Sequence, residues 1–262
     1  MFVVAWRRAA RAAAVVGLVA GALVTLAVPG HADEQRVKRF GVALYVMPTG
    51  LALDDFNQKV DQLNLFTAAQ NLAPISQIHW AAQFGLEGRF QATHHWMVVA
   101  GFGQIKKESK LDLIPQVGQS IVVAASILSV PENLGVDYYF NPKTSGDFSM
   151  RPFVGGGLIR LVETKAKLGG SAVLADTSFS LFSLPQGEGG GYYAEAGVHM
   201  MFPSRYSLML NAIYRHAKTK YVYEETTHEL LYNADGSPFE LDVSGLGLRF
   251  ALQINLFGKP LP

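Results

Sequence analysis

Cysteine is missing from all 262 residues, which excludes a disulfide-stapled secreted fold and any thiolate metal site. It says nothing against an oxidising compartment. Charge is scarce too: 16% of residues are charged against 49% hydrophobic, and the net charge is +1. Without Arg7, Arg8 and Arg11, 19 basic residues stand against 21 acidic ones, a net of −2. Neither balance fits a nucleic-acid partner. Beyond residue 32 no apolar run approaches the length of a membrane helix, and the longest, SIVVAASILSV (120–130), is far too short. The rest of the chain therefore either stays soluble beyond the inner membrane or crosses a membrane as strands.

The first 32 residues read as a processing segment. Arg7, Arg8 and Arg11 form a positive n-region, AAAVVGLVAGALVTLAV (12–28) an apolar h-region, and Gly30 and Ala32 the small residues of a cleavage site. Cleavage after about Ala32 leaves a mature chain of residues 33–262. The competing reading is an uncleaved anchor helix, since 17 apolar residues reach the lower limit for spanning a bilayer. The Arg7–Arg8 pair lacks the rest of a twin-arginine pattern, so ordinary export is expected.

What the mature chain has in abundance is two-residue periodicity. From Leu246 onward, Leu246, Leu248, Phe250, Leu252, Ile254 and Leu256 alternate with Gly247, Arg249, Ala251, Gln253 and Asn255. Large apolar residues on one face and small or polar residues on the other suit a lipid-facing exterior and a crowded polar interior. The same alternation predicts strands over 38–47, 77–90, 95–106, a stretch ending at Phe140, 148–165, 188–202 and 206–223. In the fifth, Leu158 and Arg160 share a parity, so either a bulge shifts the register or the facing is misassigned. Residues 54–70 change period, with Phe56, Val60, Leu63 and Phe66 at helical spacing behind Asp54 and Asp55.

Eight strands are thus joined by three short turns and four long loops in strict alternation. The expectation is an all-β fold: an eight-stranded antiparallel transmembrane β-barrel with a short helix in the first long loop. Aromatic residues fall at the short-turn end of every strand (Phe40, Phe90, Trp96, Phe140, Phe148, Phe202, Tyr206, Phe257), as in an interfacial girdle. The competing architecture, a soluble barrel or sandwich, inverts the polarity of the two faces. The strand number excludes a large porin.

Inward positions collect Arg39, Glu87, Arg89, Asp137, Glu195, Arg215 and Arg249 as a lumen polar cluster. An eight-stranded barrel is barely wide enough for its own side chains, so these charges must pair or meet water. A structural ion-pair plug and a selective polar pathway are the two readings. Catalysis is not expected: His79 and His216 lie toward the long-loop end, but neither has a Ser in a His-x-Ser arrangement. No cofactor or metal site is assigned, Glu224, Glu225, His228 and Glu229 reading as a solvated acidic loop rather than a cation site. Lys106, Lys107 and Lys110 are placed to touch lipopolysaccharide phosphates or simply water. The loops IVVAASILSV and LGGSAVLADTSFSLFSLP are apolar enough to form a vestibule for hydrophobic solutes, or to pack together as a cap.

The export signal, the helix-bearing first loop, NLGVDYYFNP followed by RPFVGGGL, and the final LGLRFALQINLF resemble the small outer-membrane barrels of Gram-negative bacteria, and are most similar to the outer-membrane protein W family. That resemblance covers nearly all the mature chain. It implies a location in the outer membrane among lipid and lipopolysaccharide, a narrow, partly hydrophobic lumen, and binding or passage of small hydrophobic molecules. The alternative is a plugged structural or surface-interaction barrel that displays its loops. One departure is the tail GKPLP after Phe257, where such barrels finish on an aromatic residue.

Overall fold

A computed structural model describes residues 40–69, 72–113, 120–145, 148–174, 177–202 and 204–257. Residues 1–32, expected to direct export, Arg39 and the tail after Phe257 lie outside the described residues, as do the side chains of Phe66 and Phe257. The strands are β1 (Phe40–Gly50), β2 (Trp80–Gln91), β3 (Trp96–Leu113), β4 (Ser120–Tyr139), β5 (Lys143–Ser145), β6 (Phe148–Leu174), β7 (Thr177–Ser183), β8 (Pro185–Met201), β9 (Tyr206–Glu224) and β10 (Gly245–Phe257). One helix, α1 (Asp54–Ala69), lies between β1 and β2.

Eight of these strands close a ring in the order β1-β2-β3-β4-β6-β8-β9-β10, every pair antiparallel, with β10 returning to β1. The short strands β5 and β7 pair only with β6. Large apolar side chains point outward: Leu158 is 68% exposed, Phe84 60% and Leu248 44%. Arg89 and Asp137, facing in, are 1% and 0% exposed. A soluble protein does not expose an apolar surface running around its whole girth, so the polarity is that of a barrel with lipid outside. At the short-turn end, Trp96 and Tyr138 meet edge to face at 5.1 Å, Tyr138 and Phe140 at 5.3 Å, and Phe148 lies 5.7 Å from Phe202. These pairs fit the expected interfacial girdle.

Two of the expected long loops are not loops. Residues 107–113 continue β3 and pair with 121–127 of β4, and β6 runs on to Leu174, followed by β7 and the start of β8. A membrane crossing needs about 9–11 residues of strand, whereas β3, β4, β6, β8 and β9 have 18, 20, 27, 17 and 19. The surplus forms a curved β-head above the barrel. Its outer surface meets water instead of lipid, so the apolar-out pattern stops and with it the signal that marks a barrel strand. IVVAASILSV is accordingly a strand, with Val123, Ala125 and Ile127 buried inside the head, not an open vestibule.

The change of environment coincides with bulges. Val162 is an extra residue in β6 opposite β4, and Lys220 is extra in β9 opposite β8. Buried positions therefore switch from Ile159 and Leu161 to Thr164 and Ala166 on β6, and from Ala217 and Thr219 to Val222 on β9. The uncertain facing of the fifth predicted strand resolves here: Leu158 and Arg160 both point outward, and the bulge comes after them. Above it, burial works against the charge of Lys165, but hydrogen bonds to Glu163 (3.0 Å) and Glu225 (3.1 Å) outweigh it and hold the ammonium above the usual lysine range.

Strands β1, β2 and β10 stop at the barrel rim, and α1 fills the side of the head they leave open. Phe56 and Val60 are fully buried with Leu53, Ile105, Ile127 and Leu241. Asn57 and Asn64 of α1, seven residues apart, bond the extended segment 72–79 as a strand would. Asn57 donates to the Ile78 carbonyl (3.0 Å) and accepts from its N–H (2.9 Å), and Asn64 does the same with Ile75 (2.9 and 2.9 Å). Asp55 Oδ2 accepts from Glu240 N–H (2.9 Å), tying α1 to the β9–β10 connection. Asn57→Ala should leave the buried Ile78 amide and carbonyl without partners, at a cost of about 1–3 kcal/mol. Limited proteolysis of the liposome-embedded protein should then cut within 72–79 faster than in wild type, with the barrel itself intact.

Candidate functional site

The structure brings together five of the seven residues expected to cluster in the lumen, Glu87, Arg89, Asp137, Glu195 and Arg249, and their geometry follows from strand alternation. Glu87 and Arg89 are two apart on β2, so both face in, and Asp137 (β4), Glu195 (β8) and Arg249 (β10) face in from three other strands. Arg89 Nη1 donates to Glu87 Oε2 at 2.8 Å, and Nη2 to Asp137 Oδ2 and the Tyr139 hydroxyl (3.1 Å). Arg249 Nη1 donates to Glu87 Oε1, Nη2 to Glu195 Oε2 at 2.5 Å, and Nε to Asn211 at 3.0 Å. Asn211 in turn donates to Glu195. Glu87 is the hinge of this network, because each of its oxygens receives a different arginine. Four of the eight barrel strands are thereby bridged across the lumen by buried ion pairs.

Arg215 is buried but does not join these carboxylates. It sits one layer toward the head, donating to Gln83 Oε1 (2.7 Å), the Val243 carbonyl (2.8 Å) and Thr49 Oγ1 (3.3 Å). Tyr45, Asn133, Tyr193, Arg215 and Arg249 line a small cavity of about 30 Å³ at the level of the two layers, large enough to hold water. Above Arg215 the lumen is sealed by Leu51, Leu53, Phe56, Ile78 and Val243. Toward the short turns it is filled by Tyr139 stacked on Phe153 at 5.1 Å, and by Arg151, which donates to the carbonyls of Phe140 (3.3 Å) and His94 (2.9 Å). Arg39 lies outside the described residues.

Several participants escaped the sequence reading. Gln83, Asn211, Tyr139 and His199 fall on inward parities, but neutral polar residues give no signal separating a network member from a filler. Arg151 was hidden by the unsettled facing of its strand. His199 Nε2 pairs with Ser207 Oγ at 2.7 Å, diagonally across β8 and β9, where no short sequence motif could reveal it. Both are almost fully buried within the lumen. His79 precedes β2 and is exposed, its Nε2 2.7 Å from Gln77 Oε1. His216 lies on the outer wall against Tyr192, with ring centroids 5.2 Å apart. In the acidic loop, Glu224 accepts from Ser183 Oγ (2.7 Å) and Leu184 N–H (2.7 Å), and Glu225 pairs with Lys165. Lys106 is exposed on the outer wall, Lys107 Nζ lies 4.0 Å above the Trp80 ring, and Lys110 pairs with Asp112 at 2.9 Å.

The fold and the site together define an eight-stranded transmembrane-type barrel with a polar lumen closed by its own side chains. No protein-family model and no curated protein matches the sequence. Solved structures are similar in overall form. Outer membrane protein OprG from Pseudomonas aeruginosa is 14% identical with a TM-score of 0.46, covering 84% of this chain and 96% of that one. Neisserial surface protein A is 10% identical with a TM-score of 0.41, over 85% of this chain and all of that one. The N-terminal β-barrel domain of Pseudomonas aeruginosa OprF is 9% identical with a TM-score of 0.36, again over 85% and 100%.

Removing Arg249 should leave Glu87 and Glu195 short of a partner, at a cost of about 3–5 kcal/mol. Arg215→Ala removes a cation that has no carboxylate partner and should cost less. The temperature at which the folded, fast-migrating band converts to the unfolded one on a gel should therefore fall further for Arg249→Ala than for Arg215→Ala.

Proposed function

We propose that this chain is an outer-membrane barrel that holds a β-structured head at the cell surface while sealing the membrane around it, a surface-interaction protein rather than an open pore. The observation that carries this reading is the closure of the lumen at three successive levels: the Arg89–Glu87–Arg249 network, the Arg215 layer and the apolar seal below α1. Charges this tightly paired resist the rearrangement that a water path requires. The export leader expected of residues 1–32 and the resemblance to the outer-membrane protein W family support placement in the outer membrane, with the short turns on the periplasmic side. No catalytic role is proposed. The His199–Ser207 pair, the one arrangement of nucleophile and base in the lumen among the described residues, is almost fully buried.

Lipopolysaccharide is the lipid partner that the outer wall suits. Trp80 stands at the head-side edge of the apolar band, with Lys107 over its ring and Lys106 exposed nearby, an amphipathic ring and two cations at the level where phosphates begin. Passage of small hydrophobic molecules, which the family resemblance implies, would have to avoid the lumen, since IVVAASILSV, expected to form a vestibule, packs Val123, Ala125 and Ile127 inside the head instead. Flux into liposomes separates the two readings. Vesicles carrying the purified mature chain should take up neither a small hydrophilic sugar nor a small hydrophobic dye faster than protein-free vesicles. Dye uptake that rises with the amount of protein would overturn the display reading in favour of hydrophobic transport.

A further inference from the structure

Within the lumen network the carboxylates outnumber the arginines that bind them: Glu87, Asp137 and Glu195 against Arg89 and Arg249. Both oxygens of Glu87 are bonded. Asp137 uses only Oδ2 and Glu195 only Oε2, and the two remaining oxygens, Asp137 Oδ1 and Glu195 Oε1, are buried without a donor among the described residues. A single unsatisfied buried carboxylate oxygen is costly, and two in one network need an explanation.

Their position supplies it. Asp137 on β4 is opposite Gly155 on β6, and Gly155 is opposite Glu195 on β8, so the two acids share one inward row with a glycine between them. A side chain at that position would stand between them: a Cβ built on Gly155 collides with Asp137 Oδ1 itself. Asp137 Oδ1 occupies the space left by the missing side chain, so the two acids face each other across a single glycine with no side chain between them. Around them stand Arg89 and Glu87 from β2, Tyr193 from β8 and Arg249 from β10, and the arginines are already committed to the other oxygens. Two carboxylates are both acceptors and cannot bond one another, whereas a carboxylic acid donates to a carboxylate in a short, strong hydrogen bond.

We propose that Asp137 and Glu195 hold one proton between them across Gly155, so that the pair carries a single negative charge in the folded barrel. That proton satisfies both orphan oxygens at once, and leaves Glu87 and the pair as two negative charges against Arg89 and Arg249. Gly155 is on this account a part of the site, kept free of a side chain so that the two acids can meet. The shared proton belongs to the plug and does not depend on whether the head binds a partner.

Infrared spectroscopy of the refolded wild-type chain at neutral pH reads the proton directly, as the carbonyl stretch of a protonated carboxyl that deuterium exchange shifts. The band should be present in wild type and absent in Glu195→Gln, whose amide donates to Asp137 Oδ1 in place of the proton while its oxygen keeps Arg249 and Asn211. Because that substitution reproduces the protonated arrangement, Glu195→Gln should unfold at a temperature no lower than wild type. Glu87→Gln removes a charge bound by both arginines and should fall by on the order of 5 °C or more. Folded Gly155→Ala, which forces the acids apart, should lose the band too. A wild-type spectrum without the band overturns the proposal without recourse to any variant, as does a band that persists in Glu195→Gln, or a Glu195→Gln barrel as weakened as Glu87→Gln.

Discussion

Eight strands enclose a lumen so narrow that water cannot serve as the counterion shell for charges placed there, and the structure of this protein follows from how that constraint is met. Arg89 and Arg249 each reach two carboxylates, and Glu87 reaches both arginines, so the strands that carry them are tied across the barrel as well as around it. Such a network is strong evidence of a fixed arrangement and weak evidence of net stability, because the desolvation of five ionisable groups offsets much of their attraction. What it secures is register. Sliding any of the contributing strands by one residue would turn its charge into the lipid and break several pairs together.

The same constraint explains why the chain changes character at the bulges in β6 and β9. Below Val162 and Lys220 the outer face must be apolar and the inner face polar; above them the outside is wet and the inside is a conventional apolar core. An extra residue in each of two strands exchanges the faces without interrupting the ladder. Helix α1 then completes the head where β1, β2 and β10 end, and its two asparagines supply the hydrogen bonds that a further strand would have offered to residues 72–79. A barrel wall polar inside and a head apolar inside are therefore continuous in one sheet.

How much of this was legible in the sequence depended on which solvent each face meets. Inside the bilayer the alternation is enforced on every strand, so Leu246 to Leu256, Tyr206 to Tyr214 and the inward set of Glu87, Arg89, Asp137, Glu195 and Arg249 could be placed residue by residue. Helix α1 was visible from Phe56 and Val60 at helical spacing. In the head both faces of β4 carry aliphatic residues (Ile121 to Ala125), while β3 carries Lys107, Glu108 and Lys110, so the period-two signal vanished and strands were taken for loops. Pairing across the lumen was not legible at all. Nothing in the sequence distinguishes Arg215, which meets neutral partners, from Arg249, which meets two acids, and the meeting of Asp137 with Glu195 depends on a glycine from a third strand.

The central claim, that the side chains of the lumen close it, is tested most directly by single-channel recording of the mature protein in a planar lipid bilayer at neutral pH. A silent membrane is expected from protein shown to be folded and inserted, and it should stay silent when Glu87, Arg89 and Arg249 are together replaced by alanine in a barrel that still folds, because the Arg215 layer and the apolar seal below α1 remain. Discrete, ion-selective openings from the unaltered chain would contradict it, because a path for hydrated ions cannot coexist with the paired charges that fill the barrel.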